Sequence, residues 1–390
     1  MPSEIRVDKV SSTTSPYTPV FSTTGEALSH RNMIINGAMQ VYQRGSLSIT
    51  QTNNGGFALD RFKYSQGAAV GQWVGTMTQD ALSDADIATT GQRNALKVLT
   101  TTVENAVGAD EDSRIVYVVE AQDCQRLLHG TSAARSSTLS FWAKSTVAAN
   151  YAVNIWQEDG NDTITKTYTL AANTWTKVSI TIPGNTLSGG VIANDNTGGL
   201  WIQWMLIAGS DFTSSDSTSW GTYAANKLAY GHTASSVSSP WGTNASDAWY
   251  ITGVQLELGT VATPFEHRSY GDELLRCQRY LYVIAHSVTN DRYIGQGGLW
   301  SSGQVHMGVR HPVTMRAEPT LYSTDISASF RIYANAGQDD FDNFITNGHT
   351  TGWSTIRNTD DIGGNAPAAG HYGGLYQLSS NARVYLIAEL

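Results

Sequence analysis

The chain predicts an all-β protein: a β-sandwich, a short helix, and a second small β-sandwich, in that order. Three observations carry this. Only 15% of the 390 residues are charged, well below the usual ~25%, while 41% are hydrophobic and eleven Trp and eighteen Tyr sit among abundant Gly, Ser, Thr and Asn. Short runs that alternate apolar with polar residues recur between turn residues, at intervals typical of a sandwich or barrel. Between Ile251 and Val283 the hydrophobic period changes from two to that of a helix.

Residues 1–31 hold one alternating run, Ile5 to Asp8, and then a Ser, Thr and Pro-rich stretch. Such a segment cannot bury enough apolar surface to offset its own ordering entropy. Ile5, Val7, Tyr17, Val20 and Phe21 make it more apolar than a linker requires, so it is expected to be an arm that docks on a partner.

A sandwich is expected over 32–268. Met33 to Val41 reads as its first strand, with a turn or bulge at Asn36-Gly37, followed by Phe62 to Tyr64, Val70 to Val74, Asn94 to Leu99 and Ile115 to Val119. The clearest strands are Leu139 to Ser145, Tyr151 to Trp156, Thr163 to Leu170 and Thr176 to Ile182, then Leu200 to Ile207. In the second of these Tyr151, Val153 and Ile155 point one way and Asn154 and Trp156 the other. The long stretch Gly209 to Asp247 contains Trp220, Tyr223, Tyr230 and Trp241 and is expected to fold over something.

Val254, Leu256 and Leu258 then alternate against Gln255 and Glu257 as a last strand, which Gly259 ends. Pro264 forbids a central strand, and Asp272 and Glu273 place carboxylates at a helix N-terminus ahead of Leu274, Cys277 and Leu281. A connecting helix is therefore expected over 269–283. A C-terminal β domain follows over 284–390, with alternation at Val305 to Val309, at Phe330 to Ile332 and in Ala382 to Leu390.

A net charge of −9 with few, scattered Lys and Arg argues against nucleic-acid binding and against an anionic membrane. The longest apolar run, Leu200 to Ala208, is far short of the ~20 residues a membrane-spanning helix needs. The start MPSEIRVDKV lacks the pattern of a secretory signal, so synthesis in a cytosol is expected. Cys124 and Cys277 lie on different expected elements and read as buried thiols.

Glycan cleavage would need two acids about 5 to 10 Å apart. The available sets are Glu158 with Asp159 and Asp162, Asp339 with Asp340 and Asp342, and Asp360 with Asp361, all among turn residues, where acids cap or solvate the turn. The nine histidines show no HxxxH or HExxH spacing, and no G-x-S-x-G element or phosphate loop stands out, so no catalytic residue and no metal ligand set is expected. Sugar binding rests on aromatics, because the apolar face of a pyranose packs on an indole while polar neighbours take its hydroxyls. Trp156 is the best single candidate, out of phase with the apolar face of its strand, with Asn154 and Asn161 close by. Trp201 and Trp204 are three apart on a strand, so one can be exposed while the other is core.

Four stretches carry a resemblance: NMIINGAMQVYQRG from Asn32, LDRF at Leu59 to Phe62, LSFWAKS at Leu139 to Ser145, and VQLELG continuing through VATPFEHRSYGDELLRCQRYLY. Together they resemble a pattern in bacteriophage tail-fibre and related virion appendage proteins. The resemblance implies a non-enzymatic, homotrimeric virion protein, assembled in the host cytoplasm, whose sandwich is a jelly roll like a carbohydrate-binding module. It implies contacts to other virion proteins through residues 1–31 and to a host-surface glycan, with Trp142 and Trp175 as buried structural tryptophans. It also implies no cofactor beyond a structural calcium, for which Gln157 to Asp162 would supply oxygen ligands. A helix this short needs a packing partner, so Leu274, Cys277 and Leu281 are expected at the trimer interface. The alternatives are a capsid decoration or head-fibre protein and, with less support, a polysaccharide depolymerase.

Overall fold

The computed structural model describes residues 30–49, 55–67, 73–104, 107–233, 241–285, 292–301, 304–323, 329–334, 337–358, 369–379 and 382–390. The apolar residues of the expected arm, the start of the expected strand at Val70, and Asp360 with Asp361 lie outside them.

The first unit is a jelly-roll sandwich. Its strands are β1 (Leu47–Ile49), β2 (Phe62–Gln66), β3 (Val74–Ala81), β4 (Asn94–Thr102), β5 (Asp112–Glu120), β6 (Ser137–Ser145), β7 (Ala149–Gln157), β8 (Asp162–Leu170), β9 (Thr176–Ile182), β10 (Gly198–Ala208), β11 (Gly221–Thr222) and β12 (Ala248–Leu258). They form two antiparallel six-stranded sheets, ordered β1-β3-β4-β12-β6-β9 and β11-β8-β7-β10-β5-β2, between which the chain passes repeatedly. Period-two alternation puts Met77, Leu96, Phe141, Tyr151, Val153, Ile155 and Ile251 into one core. Trp204 lies fully buried within it, 5.9 Å from Phe141 and 6.3 Å from Phe62.

Two expectations change here. Met33 to Val41 is not a strand: Asn36 and Met39 take left-handed φ values of 60° and 57°, and side chains replace the ladder. Asn36 exchanges hydrogen bonds with the Val41 backbone at 2.8 Å each, and Asn32 accepts from Leu256 N–H while donating to the Val254 carbonyl. The segment is thus stitched to β12 by amide side chains. Second, Trp175 is buried as expected but Trp142 is only partly covered, and both lie outside the sandwich core. They sit on the outer face of the first sheet beside Leu82, Ile87 and Tyr250, under a helix, α1 (Asp84–Thr90), that the alternation did not reveal. Ser83 caps α1 by accepting from Asp86 N–H, and Trp175 Nε1 donates to Asp86 Oδ1 at 2.8 Å.

A four-residue turn of helix, α2 (Ser210–Thr213), follows β10, and α3 (Tyr270–Gln278) is the helix of the joint. Ser269 caps α3, with Asp272 and Glu273 in the first turn as the sequence predicts. Its apolar stripe packs against its own chain. Cys277 and Leu281 have no exposure, and Cys277 packs with Ile35, Val41 and Tyr280 of the same chain, Leu274 and Leu390 lying against the cluster. The partner that a short helix needs is its own chain some 240 residues upstream.

Leu281 opens the second unit, whose strands are β13 (Leu281–Ala285), β14 (Arg292–Ser301), β15 (Gln304–Arg310), β16 (Thr320–Ser323), β17 (Phe330–Ala334), β18 (Gly337–Phe341), β19 (Phe344–His349), β20 (Trp353–Asn358), β21 (Tyr372–Gln377) and β22 (Val384–Ile387). A three-stranded sheet, β13-β22-β16, and a seven-stranded sheet, β18-β17-β21-β14-β15-β20-β19, enclose Leu299, Met307, Phe330, Ile332, Leu375 and Leu386.

A buried ion pair and a partly exposed one bind the two units. Arg61 lies 3.4 Å over the Tyr280 ring and donates to Glu389 Oε2 at 2.7 Å and to the Val118 carbonyl. Arg279 holds Glu120 through two hydrogen bonds of 2.8 Å, and Tyr280 donates to the same carboxylate. Burial alone would raise the pKa of Glu120; the hydrogen bonds from Arg279 and Tyr280 outweigh it and hold the carboxyl below its ordinary value.

Candidate functional site

The outer face of the second sheet carries the site. Because Tyr151, Val153 and Ile155 enter the core, Ala152, Asn154 and Trp156 of β7 face outward, as do Trp201, Gln203 and Met205 of β10. Register sets Trp156 directly beside Trp201 and Asn154 beside Gln203.

One half of this face is sealed. The chain after β10 runs through α2, β11 and a short turn at Ala225–Lys227, and its Phe212 and Ala229 cover Ala152 and Met205. Beneath it Asn154 is completely buried, donating to Thr163 and Thr165 hydroxyls at 2.7 and 2.8 Å and accepting from Gln203 Nε2. Asn154 is thus spent within the sheet, on β8 and β10, and presents nothing to a ligand, while Thr165 reaches the cover by donating to the Lys227 carbonyl at 2.7 Å.

The other half is open, and three rings line it. Trp156 and Trp201 have centroids 5.2 Å apart at 50°, and Tyr223, delivered by the covering segment just after β11, lies 5.4 Å from Trp156 at 45°. All three are partly exposed. The tilts make a shallow curved shelf rather than a flat stack. Each indole is fixed by its N–H: Trp156 Nε1 donates to Asn161 Oδ1 at 3.1 Å and Trp201 Nε1 to Glu158 Oε2 at 2.9 Å. Tyr223 is held by its backbone N–H on the Asn161 carbonyl at 2.7 Å. At the far edge Lys63 sits 4.9 Å from the Trp201 ring; burial pulls its pKa down, against the pull of Glu389.

The acids of the 157–162 turn serve its architecture. Asp159 Oδ2 accepts from Ala193 N–H, Asp162 Oδ2 from Asn185, and Gln157 donates to the Asp159 and Gly190 carbonyls. Asp340 is paired with Arg331, and Asp339 accepts from the Asp340 N–H. Among the described residues no three His, Cys, Asp or Glu side chains cluster as a metal site.

No protein-family model matches the chain, and no curated protein matches its sequence. Solved structures similar to it include a family 11 carbohydrate-binding module of a cellulosomal cellulase of Clostridium thermocellum, at 14% identity over 56% of this chain and 98% of that one, TM-score 0.26. Another is the CBM22-1 xylan-binding domain from Paenibacillus barcinonensis, at 12% identity over 55% and 95%, TM-score 0.24. A third is TmCBM61 in complex with β-1,4-galactotriose, at 10% identity over 59% and 99%, TM-score 0.24. These overlaps are loose, and the jelly roll is defined by the strand order and inward faces of this chain.

Of the residues that the sequence singles out, Trp156 and Asn161 meet on the open face and Asn154 does not. Trp201 comes to Trp156 through a strand pairing that the sequence does not spell out. In the sequence Tyr223 is one aromatic among several in a long loop. Its signal was that a chain crowded with Ser, Thr and Gly kept four large rings.

Proposed function

We propose that this chain is a non-catalytic, glycan-binding protein of a bacteriophage virion appendage, a homotrimeric tail fibre that touches a host-surface saccharide with the Trp156, Trp201 and Tyr223 shelf. The observation that carries the reading is the shelf itself: three partly exposed rings, the two indoles fixed by their ring N–H groups and Tyr223 by its backbone N–H, rimmed by the exposed Glu158 and Asn161. A pyranose can lay its C–H face on such rings while its hydroxyls meet a carboxylate and an amide. The virion part of the reading rests on the resemblance carried by residues 32–45, 59–62, 139–145 and 254–282. Residues 32–41 and 59–62 pack at α3, and Leu139 to Ser145 pairs with β12. In this reading residues 1–31 attach to other virion proteins, and assembly takes place in the host cytoplasm.

A glycan array probed with the full chain tests the shelf. Retention of a saccharide that Trp156→Ala abolishes supports the reading, and a blank array overturns it. Labelling of intact particles at the tail and a solution mass of three chains support the appendage; labelling spread over a capsid would replace the fibre with a decoration protein.

A further inference from the structure

The second unit turns an aromatic sheet face to solvent. β14, β15, β20 and β21 send Leu299, Val305, Met307, Ile356 and Leu375 inward, so the alternate residues, Trp300, His306, Arg357 and Tyr372 among them, face out. Trp300 is 77% exposed and Tyr372 80%, whereas rings of this size are mostly covered in folded chains. Two glycines seat the rings. A Cβ at Gly298 would lie 3.1 Å from the Tyr372 ring, and one at Gly308 would lie 2.4 Å from Trp353. Register puts Tyr372, Gly298, His306 and Arg357 in one row across four strands.

Trp300 stacks on His306 at 5.8 Å and 26°, and together with Gln304, Asn347 and Arg357 they line a cleft of ≈ 360 Å³. Arg357 donates to the Asn358 carbonyl at 3.2 Å and has no carboxylate partner among the described residues. His306 Nε2 is buried without a hydrogen-bond partner, its Nδ1 lying 3.3 Å from the Asn347 amide. A guanidinium with no carboxylate partner among the described residues, beside an exposed indole, offers an anion a charge-assisted partner on a chain whose net charge is −9.

We propose that this cleft is a second saccharide site, selective for a carboxylate-bearing sugar: the ring packs on Trp300, the hydroxyls meet Gln304 and Asn347, and the carboxylate meets Arg357. The site is separate from the Trp156 shelf and does not rest on it. A hexuronate and a sialic acid share this chemistry, so both are tested with the full chain. Trigalacturonic acid is compared with galactotriose, and 3′-sialyllactose with lactose, by calorimetric titration at low and high salt. At least one acidic probe is expected to bind tenfold or more tighter than its neutral counterpart and to weaken with salt; whichever does identifies the source. Arg357→Gln removes that preference, Arg357→Lys restores part of it, and Trp300→Ala abolishes binding, while Trp156→Ala leaves it unchanged. Unaltered melting of these surface variants confirms their fold. Equal binding of acidic and neutral probes, no binding of either acid, or loss on Trp156→Ala instead of Trp300→Ala overturns the proposal. So does self-association in sedimentation that Trp300→Ala dissolves, which would make the face a contact between copies.

Discussion

The segment that seals half of the aromatic face is anchored by His232, and acid should loosen it. His232 is buried, its ring edge-on to Tyr151 at 5.7 Å, and its Nδ1 accepts the Ala152 N–H at 3.1 Å, which only a neutral imidazole can do. Burial pushes its pKa from 6.5 down to about 4. Because the folded value lies below the unfolded one, the contribution to stability is complete above pH 6.5 and is lost as pH falls toward 4. Between pH 7 and pH 5 the linkage integral for these two values amounts to roughly 2 kcal/mol. His232→Asn keeps an acceptor near Nδ1 without the titration. Urea unfolding followed by tryptophan fluorescence at both pH values should show wild type losing about 2 kcal/mol more than the variant. Other histidines cancel in that difference. Equal losses in the two proteins would refute the assignment of His232 as the acid-sensitive anchor.

Three further outcomes follow from the joint and the cores. Arg61→Ala leaves Glu389 with Arg44 at 3.0 Å but strips the guanidinium from Tyr280, so a loss of about 3 kcal/mol is expected in urea unfolding, at the low end for a broken buried pair; a loss below about 1 kcal/mol would show that the clamp contributes little. In Gly37→Ala the new methyl group would stand 2.1 Å from the Val254 carbonyl oxygen, part of a strand backbone that cannot step aside, and a cost of about 1–3 kcal/mol should appear as a lowered melting temperature. Cys124 and Cys277 are buried and burial raises both thiol pKa values, so a disulfide reagent should label neither in the native chain and both after denaturation; rapid native labelling of Cys124 would contradict the sandwich core, and of Cys277 the packing at α3.

The strands with strict alternation were legible. Thr176–Ile182 appears as read, Tyr151 to Trp156 keeps its two faces, and Trp201 and Trp204 part to opposite sides, one partly exposed and one core. α3 is legible from its acids, while Ser269 caps it from a position that the hydrophobic pattern does not mark. What escaped depended on partners distant in sequence. The Met33 to Val41 run has strand composition, but its amides find β12 side-on, and the stripe at Cys277 looked unpartnered because Ile35 and Val41 reach it only in the fold. α1 had readable signals, Ser83 before it and Gly91 in the left-handed conformation after it, masked by a short apolar content. Asn154 was placed on the correct face; that the loop after β10 would bury that face needed the topology.

The most direct test of saccharide binding proposed for the Trp156, Trp201 and Tyr223 shelf is its footprint. Hydrogen–deuterium exchange of the full chain, with and without a neutral saccharide taken from the array, should show protection in peptides covering 154–163, 198–204 and 221–223. Protection confined to residues 281–390, or none at a saturating concentration, would contradict the account.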